Sequence, residues 1–559
     1  MYRLVAAQAS FWMENFCERP FRFLTRRMTP TSRTKTMSLT MTQLPMSQPM
    51  SNEITATYFL EPKLQFAHGQ ACEHPKDGLF LFGPYDSSGC QGGVRYGALG
   101  TSLGIERFRQ WVNQVRTSIA PTKIAPHLTT WPGFAAAFGV QFPPSAQVEI
   151  VLDAVKISEA IRRNDRHTAI YETVSLFESE IRRHLKYEEE RPDVWFVVIP
   201  EEVFRLGRPE SFVPKAERTG GTLGPSANTI ARAGKLGQKF LFPEDEQVAE
   251  LHEFELNFHN QLKARLLDTG AVIQIVRETT IAPDHFLKTD GTHTRRVDDP
   301  STIAWNLCTA IFFKTQGKPW KLASVRDGVC YVGIVYKRLH TATPIGNACC
   351  GAQMFLDSGD GVVFKGLVGP WYSEATKQFH LTSDKAAELM RQVVEEYSRK
   401  HGTPPRELFL HAPSHFVDHE WDGFLSTAPE ATAVTGVRIR RDNQFKLYLE
   451  SGSTPVLRGT SLVHHEKRAH LWTLGYIPRL KTYPGWEVPS PLEICVSKGN
   501  ADISQVCADV LSLTKLNFNA CIYGDGLPVT LRFANAVGEI LTAAPTQAES
   551  RALSFRYYI

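Results

Sequence analysis

The stretch "VWFVVIP", residues 194–200, carries no charged, amide or hydroxyl side chain. Side chains alternate between the faces of a strand, so a run apolar at both parities must be covered on both sides. Strands of that kind belong to parallel sheets, whose crossover helices pack on each face. The preceding text supplies the alternation. "GLFLFGPYD" (78–86) and "GVRYGALG" (93–100) read as short apolar strands, followed by a helix over "GIERFRQWVNQVRTSI" (104–119). "QVEIVLDA" (147–154) reads as a strand and "AIYETVSLFESEIRRHLKYEEE" (169–190) as a helix leading into 194–200. The expectation for this half is an α/β domain with a parallel, Rossmann-like sheet. "RTGGTLGPSANTIARAGKLGQ" (218–238) reads as a Gly-, Thr- and Ala-rich loop; without a GxxxxGK[ST] arrangement it does not suggest a nucleotide P-loop.

A different rhythm follows. "GVCYVGIVYKRL" (328–339), "NACCGAQMFL" (347–356) and "GVVFKGLVG" (361–369) look like three successive strands. A helix over "SDKAAELMRQVVEEYSRKHG" (383–402) has Ser383 as N-cap and Gly402 as stop, and "RELFLHA" (406–412) is a further strand. Three antiparallel strands, a helix and another strand is the order that opens a ribonuclease-H-like fold. The polar "KTDGTHTRRVDDPS" (288–301) places the boundary between halves near residue 300.

At 559 residues the chain is too long for one ordinary core, and no apolar run reaches the roughly 20 residues of a membrane span. A net charge of +4 restricts any nucleic-acid surface to a local channel. The ten cysteines include no CxxC pair and no zinc spacing, which suits reduced structural thiols in a cytoplasmic protein. The first fifty residues hold seven of the nine methionines and seven Lys or Arg against two acids, Glu14 and Glu18. Residues 1–56 therefore read as a leader, either transit-like or an over-extended and disordered start.

Chemistry concentrates in "FHNQLKARLLDTGAVIQIVRE" (258–278). His259 and Lys263 lie four apart on one helix face, and Gln274 interrupts a strand otherwise made of Val and Ile. A buried amide needs a hydrogen-bond partner or costs a few kcal/mol. Lys314 closes the apolar helix of "IAWNLCTAIFFKTQGKPW" (303–320). Each residue has an ordinary explanation: a solvated helix face, a core amide bonded to backbone, a cation at a helix C-terminus. Brought together, the four would present donors to a dianionic phosphate.

The pattern His-x-x-x-Lys, Gln eleven residues on, then Lys before Gly in the next helix resembles the guide-end pocket of Argonaute proteins. The resemblance implies a MID domain within 57–300 and a PIWI domain over 301–559, with no PAZ domain. It also implies that His259, Lys263, Gln274 and Lys314 hold a guide's 5′-phosphate; many members have Tyr where His259 stands. The apolar end "LSFRYYI" is similar to family C-termini whose carboxylate shares a divalent metal with that phosphate, which implies Mg²⁺ held by Ile559 together with Gln274. "LEPKLQFAHG", "GKPWKL", "NACCGAQMFLDSGDGVVFKGLVGPWY" and "LTKLNFNACIYGDGLPVTLRFAN" look like the short branch that works with a TIR–APAZ subunit, the SPARTA systems.

PIWI nucleases hold two Mg²⁺ ions on acidic residues. Here Val335 stands in the first acid's place and Asn535 in the fourth's, while His411, Ala412 and Pro413 occupy the second site, with Ala412 the equivalent. Glu374 is the one candidate for the mobile Glu; Asp357, Asp360 and Asp418 read as turn or surface acids. The resemblance thus implies an inactive Argonaute that binds a guide, RNA by preference, recognises complementary single-stranded DNA, and leaves NAD⁺ hydrolysis to its TIR–APAZ partner in defence. Arg277, Lys318, Lys321 and Arg532 are candidate backbone contacts. The alternatives are a sirtuin-like or nuclease APAZ partner, an active guide-directed nuclease, and an α/β binder of small phosphates.

Overall fold

The computed structural model describes residues 2–6, 55–220, 224–338, 347–355, 361–364, 368–370, 372–373, 378–449, 453–483, 485, 487–545 and 553–559. Glu374, Asp357 and Asp360 lie outside them, as does most of the expected leader; from the leader, Tyr2–Ala6 runs antiparallel to Phe445–Leu449.

The first half contains a four-stranded sheet, parallel throughout. Its strands are β1 (Tyr96–Thr101), β2 (Val148–Leu152), β3 (Val194–Ile199) and β4 (Ile273–Arg277), in the order β2-β1-β3-β4. Every residue of β1 and β3 is buried, as their two-faced apolar character requires. Helix α1 (Ser102–Val115) covers one face through Phe108 and Val112, which join Phe196 and Val198. Helices α2 (Arg166–Tyr187) and α3 (Phe258–Leu266) cover the other through Phe177, Phe258 and Leu262, which join Trp195 and Val197.

Helix α4 (Pro300–Lys314) begins where the composition changes. Asp299 caps it, accepting from Ser301 N at 3.0 Å, and Pro300 occupies the first turn, where no backbone donor is needed. It is apolar almost all round, so it has no solvent face to keep. Trp305 meets Trp131 edge to face at 4.9 Å and Phe312 stacks on Phe138 at 4.5 Å. One continuous apolar core runs through this helix into both halves.

Among the described residues, the second half is built on an eleven-stranded sheet. Strands β5 (Val329–Arg338), β6 (Asn347–Phe355) and β7 (Gly361–Phe364) form an antiparallel meander. After α5 (Ser383–His401), β8 (Glu407–Ala412) lies parallel to β5; after α6 (Asp418–Thr427), β9 (Ala433–Arg441) lies parallel to β8. The resulting order β7-β6-β5-β8-β9 is the ribonuclease-H-like arrangement. The sheet continues through β10 (Thr460–His465), β11 (Arg468–Leu471) and β12 (Leu492–Lys498), in the order β9-β12-β11-β10. Helix α7 (Val529–Leu541) lies directly on β5: a Cβ at Gly333 would stand 2.0 Å from Thr530 O, so the glycine is what lets helix and strand meet.

Three local readings are corrected. Residues 75–82 are a helix, not a strand: His74 Nδ1 accepts from Lys76 N at 3.1 Å, Pro75 opens the first turn, and Gly83 at φ 78° stops it. A short apolar run fits either period, and the cap decides between them. The 218–238 loop contains a helix over Ala227–Leu236, capped by Ser226 and stopped by Gly237 at φ 63°. The α5 N-cap is Thr382 and not Ser383.

Candidate nucleic-acid interface

Asn257 caps α3, accepting from Asn260 N at 3.3 Å. With one face of α3 turned to the sheet core, the opposite side carries His259 and Lys263, and Lys263 reaches the C-terminal tail. The structure brings all four sequence-predicted residues into one socket. Lys263 is 4% exposed and donates to Tyr558 O at 3.2 Å. Lys314, 1% exposed, reaches from the last turn of α4 to Ile273 O at 2.9 Å and Gln274 Oε1 at 2.7 Å. The amide that breaks the apolar strand is thereby satisfied, since Gln274 Nε2 donates to Ile275 O at 3.1 Å. Its polar atoms are turned to Lys314 and the backbone, so Gln274 holds the lysine in place.

Neither ammonium has a carboxylate side-chain partner among the described residues. Burying a cation costs several kcal/mol unless an opposite charge compensates it. Burial accordingly pushes Lys263 down to about 7 and Lys314 well below the ordinary lysine range, with the Lys263 charge adding to the second effect. His259 is exposed. Partial desolvation lowers its pKa, and Lys263, Lys314 and Arg208 act in the same direction against the hydrogen bond to Asn260. Its Nδ1 lies 3.0 Å from Asn260 Oδ1, and Asn260 Nδ2 donates to Glu255 Oε2 at 3.0 Å. With the amide donors directed at Glu255, Asn260 Oδ1 accepts, so Nδ1 carries the imidazole proton.

The chain's end forms the far wall. Phe555 packs on Phe533 of α7 with centroids 4.1 Å apart, and Tyr558 and Ile559 are 2% and 6% exposed. As for Mg²⁺, Gln274 Oε1 is already engaged by a lysine and two ammonium groups border the site. The protein's own residues do not make a cation site there, and among the described residues no group of three His, Cys, Asp or Glu could hold a metal.

The usual ligand crevice of an open parallel sheet lies at the carboxyl ends of the strands where their order reverses, here between β1 and β3. This chain fills it with its own carboxylate. Glu278 accepts from Thr101 Oγ1 at 3.4 Å at the start of α1 and pairs with Arg107 at 2.5 Å. The position suits an anion at a helix N-terminus and sets a negative charge where a nucleotide phosphate would bind.

In the second half, Val335 lies on the β5 face under α7, as part of the core shared by both halves. Ala412 belongs to a separate core under α5 and α6, on the opposite face. His411 pairs in register with Gly333 and so shares Val335's face; its Nδ1 lies 3.0 Å from Thr530 Oγ1. Asn535 is half-buried on α7. None of these positions carries a carboxylate. Of the candidate backbone contacts, Arg277 pairs with Glu201 at 2.6 Å and Arg532 with Asp525 at 3.2 Å, while Lys321 lies over the Tyr85 ring at 4.7 Å. Arg208, beside His259, escapes the sequence reading altogether: it lies 51 residues upstream and no motif marks it.

No family model and no curated protein sequence matches this chain. By structure it is similar to Clostridium butyricum Argonaute bound to a guide DNA with a 5′ deoxycytidine and a 19-mer target DNA. The TM-score is 0.58 at 14% identity, covering 88% of this chain and 53% of that one. It is also similar to Aa-Ago with externally bound siRNA, with a TM-score of 0.51 at 12% identity over 90% of this chain and 56% of that one. The chain thus has an Argonaute-like α/β fold and spans about half the length of these structures. Among the described residues no helix is long and apolar enough to cross a membrane.

Proposed function

We propose that this protein is a catalytically inactive, short Argonaute that holds the 5′-phosphate of a guide strand and uses the guide to recognise complementary single-stranded DNA. The observation that carries this reading is the pair of buried ammonium groups, Lys263 and Lys314, that face one socket with no ion-paired carboxylate among the described residues. A terminal phosphate is a dianion and would compensate both charges; a 5′-hydroxyl would compensate neither. Lys263 and Lys314 take the phosphate, Gln274 orients Lys314, and His259 at the open side meets the first nucleotide. The Ile559 carboxylate and the bound phosphate together would be the ligands of Mg²⁺ here, with no part for Gln274, whose Oε1 accepts from Lys314.

Downstream guide bases stay free to pair, so pairing supplies sequence specificity and the protein supplies backbone affinity. The expected second position, Ala412, faces away from Val335, and the absence of carboxylates at Val335, at His411 on the same face, and at Asn535 supports recognition without cleavage. RNA is the proposed guide. A separate TIR–APAZ subunit is the proposed effector, its NAD⁺ hydrolysis released when duplex binding favours an assembled state. The carboxylate already filling the crevice of the parallel sheet disfavours a small-nucleotide binder.

The test is to purify the chain with any co-expressed partner and sequence the bound nucleic acid, comparing wild type with Lys263→Ala/Gln274→Ala. Short 5′-phosphorylated guides present in the first and depleted in the second are expected. Folded wild-type complex that carries no nucleic acid would refute the proposal.

A further inference from the structure

The parallel sheet of the first half has two edges, and the chain treats them differently. At one, Ile273 O of β4 accepts from Lys314 at 2.9 Å. At the other, β2 pairs only with β1 among the described residues. Half of its backbone N–H and C=O groups therefore point away from the sheet, a template for one more strand. Edges of this kind are usually blunted by proline, lysine or a bulge, and β2, which reads Val-Glu-Ile-Val-Leu in regular register, has none of these. Its one charged side chain, Glu149, is engaged by Arg109 of α1 at 2.7 Å.

The surroundings of this edge differ from end to end. Beside its first residues lies a groove of about 390 Å³, lined by Val148, Glu149 and Ile150 of the strand and by Tyr187, Glu188 and Glu190 at the end of α2. Glu188 N donates to His184 O at 2.9 Å and the His184 ring lies 3.0 Å from Glu190 O, which ties the run Glu188-Glu189-Glu190 to the last turn of α2. All three side chains are exposed, and none has an ion pair among the described residues. Arg183, which also lines the groove, is already paired with Glu180 at 2.5 Å. A helix C-terminus is the negative end of the helix dipole, so three carboxylates placed there cost stability until a cation meets them. The other end of the edge is apolar. Val151 and Val155 are 62% and 63% exposed, and Leu103, in the first turn of the helix that follows β1, is 51% exposed.

We infer that β2 is the docking edge for an extended segment of a second protein, with Lys or Arg at the end that meets Glu188–Glu190 and aliphatic residues at the end that meets Val151 and Val155. The added strand completes the backbone pairing of β2, which supplies affinity, and the unlike ends fix its register and direction. A second copy of this chain is a poorer occupant. Two β2 strands related by a two-fold axis run antiparallel, which sets the acidic end of each against the apolar end of the other. The edge lies across the sheet from Lys314, so the inference does not depend on what the socket holds.

The experiment uses the full chain, with fluorescence anisotropy of labelled ten-residue peptides. One peptide carries lysines in its first half and alternating Val and Thr in its second; another has the reverse order, because either strand direction makes a ladder. One order is expected to bind with a Kd of about 10–100 μM. N-methylating one set of alternate backbone amides should weaken it at least about tenfold, and the other set far less, because only one edge of the added strand faces β2. Glu188→Gln/Glu190→Gln and Val151→Lys, all at exposed positions, should each weaken it about three- to tenfold, the first with loss of salt dependence. Binding of neither order, or equal tolerance of both methylation sets, would overturn the inference. A chain that sediments as a dimer, with the dimer abolished by Val151→Lys, would overturn it in favour of self-association.

Discussion

Replacing Lys263 by methionine should stabilise the ligand-free protein and abolish its affinity for a 5′-phosphate. Folding lowers the lysine from 10.5 to about 7, which corresponds to about 5 kcal/mol of penalty for holding the charged form. The unfolded chain binds the extra proton between these values, so native stability rises as pH climbs through them. The penalty is complete below pH 7 and gone above about 10.5. Methionine removes it but also loses the bond to Tyr558 O, worth about 1–2 kcal/mol. The net expectation near pH 6 is a gain of about 3 kcal/mol, shrinking as pH rises toward 10. Thermal unfolding of both proteins across this range measures it. In parallel, a 5′-phosphorylated oligonucleotide should raise the wild-type midpoint and leave that of Lys263→Met unmoved. A variant less stable than wild type at pH 6, or one still stabilised by the phosphorylated strand, would refute the picture of an uncompensated cation awaiting a dianion.

Two further outcomes are expected. Val335→Asp combined with Ala412→Asp should not create a Mg²⁺-dependent nuclease, because the two side chains enter cores on opposite faces of the sheet; cleavage of a guided target by the double variant would show that the faces converge. Glu61→Gln should destabilise the protein by about 3–5 kcal/mol near pH 7, since Arg458 and Lys515, at 2.9 and 2.8 Å from its carboxylate, would stay buried with their partner gone. Burial raises the Glu61 pKa, but Arg458 and Lys515 together hold it below 4.5, so its contribution is present above that pH and is lost on acidification. The gap between wild type and variant in denaturant midpoints should therefore close in acid; a gap that is constant with pH would contradict the ion-pair account.

What the sequence determined by itself was most of the elements and which polar residues meet beside the C-terminal tail. Residues 194–199 read as an inner strand because the run is short, rich in Val and Ile and apolar on both faces, and every residue of it is buried. The meander, helix and strand after residue 328 were equally legible, because each element carries its own period and stop. His259, Lys263, Gln274 and Lys314 were found by spacing and by the oddity of an amide inside an apolar strand. Sequence failed where local pattern is degenerate, as at 75–82, where a few apolar residues fit either period until the His74 cap is seen.

Only the tertiary structure decided whether the lysines meet a carboxylate. Lys263 and Lys314 lie far apart in the chain, and their charge balance depends on what the fold brings between them, including the Tyr558 carbonyl near the chain's end. The same holds for Glu278 in the crevice of the parallel sheet and for the separation of Val335 and Ala412 onto opposite faces. Periodicity and capping act over a few residues and leave a mark in the sequence, whereas the electrostatic compensation of a buried charge is set by whichever distant groups share its surroundings.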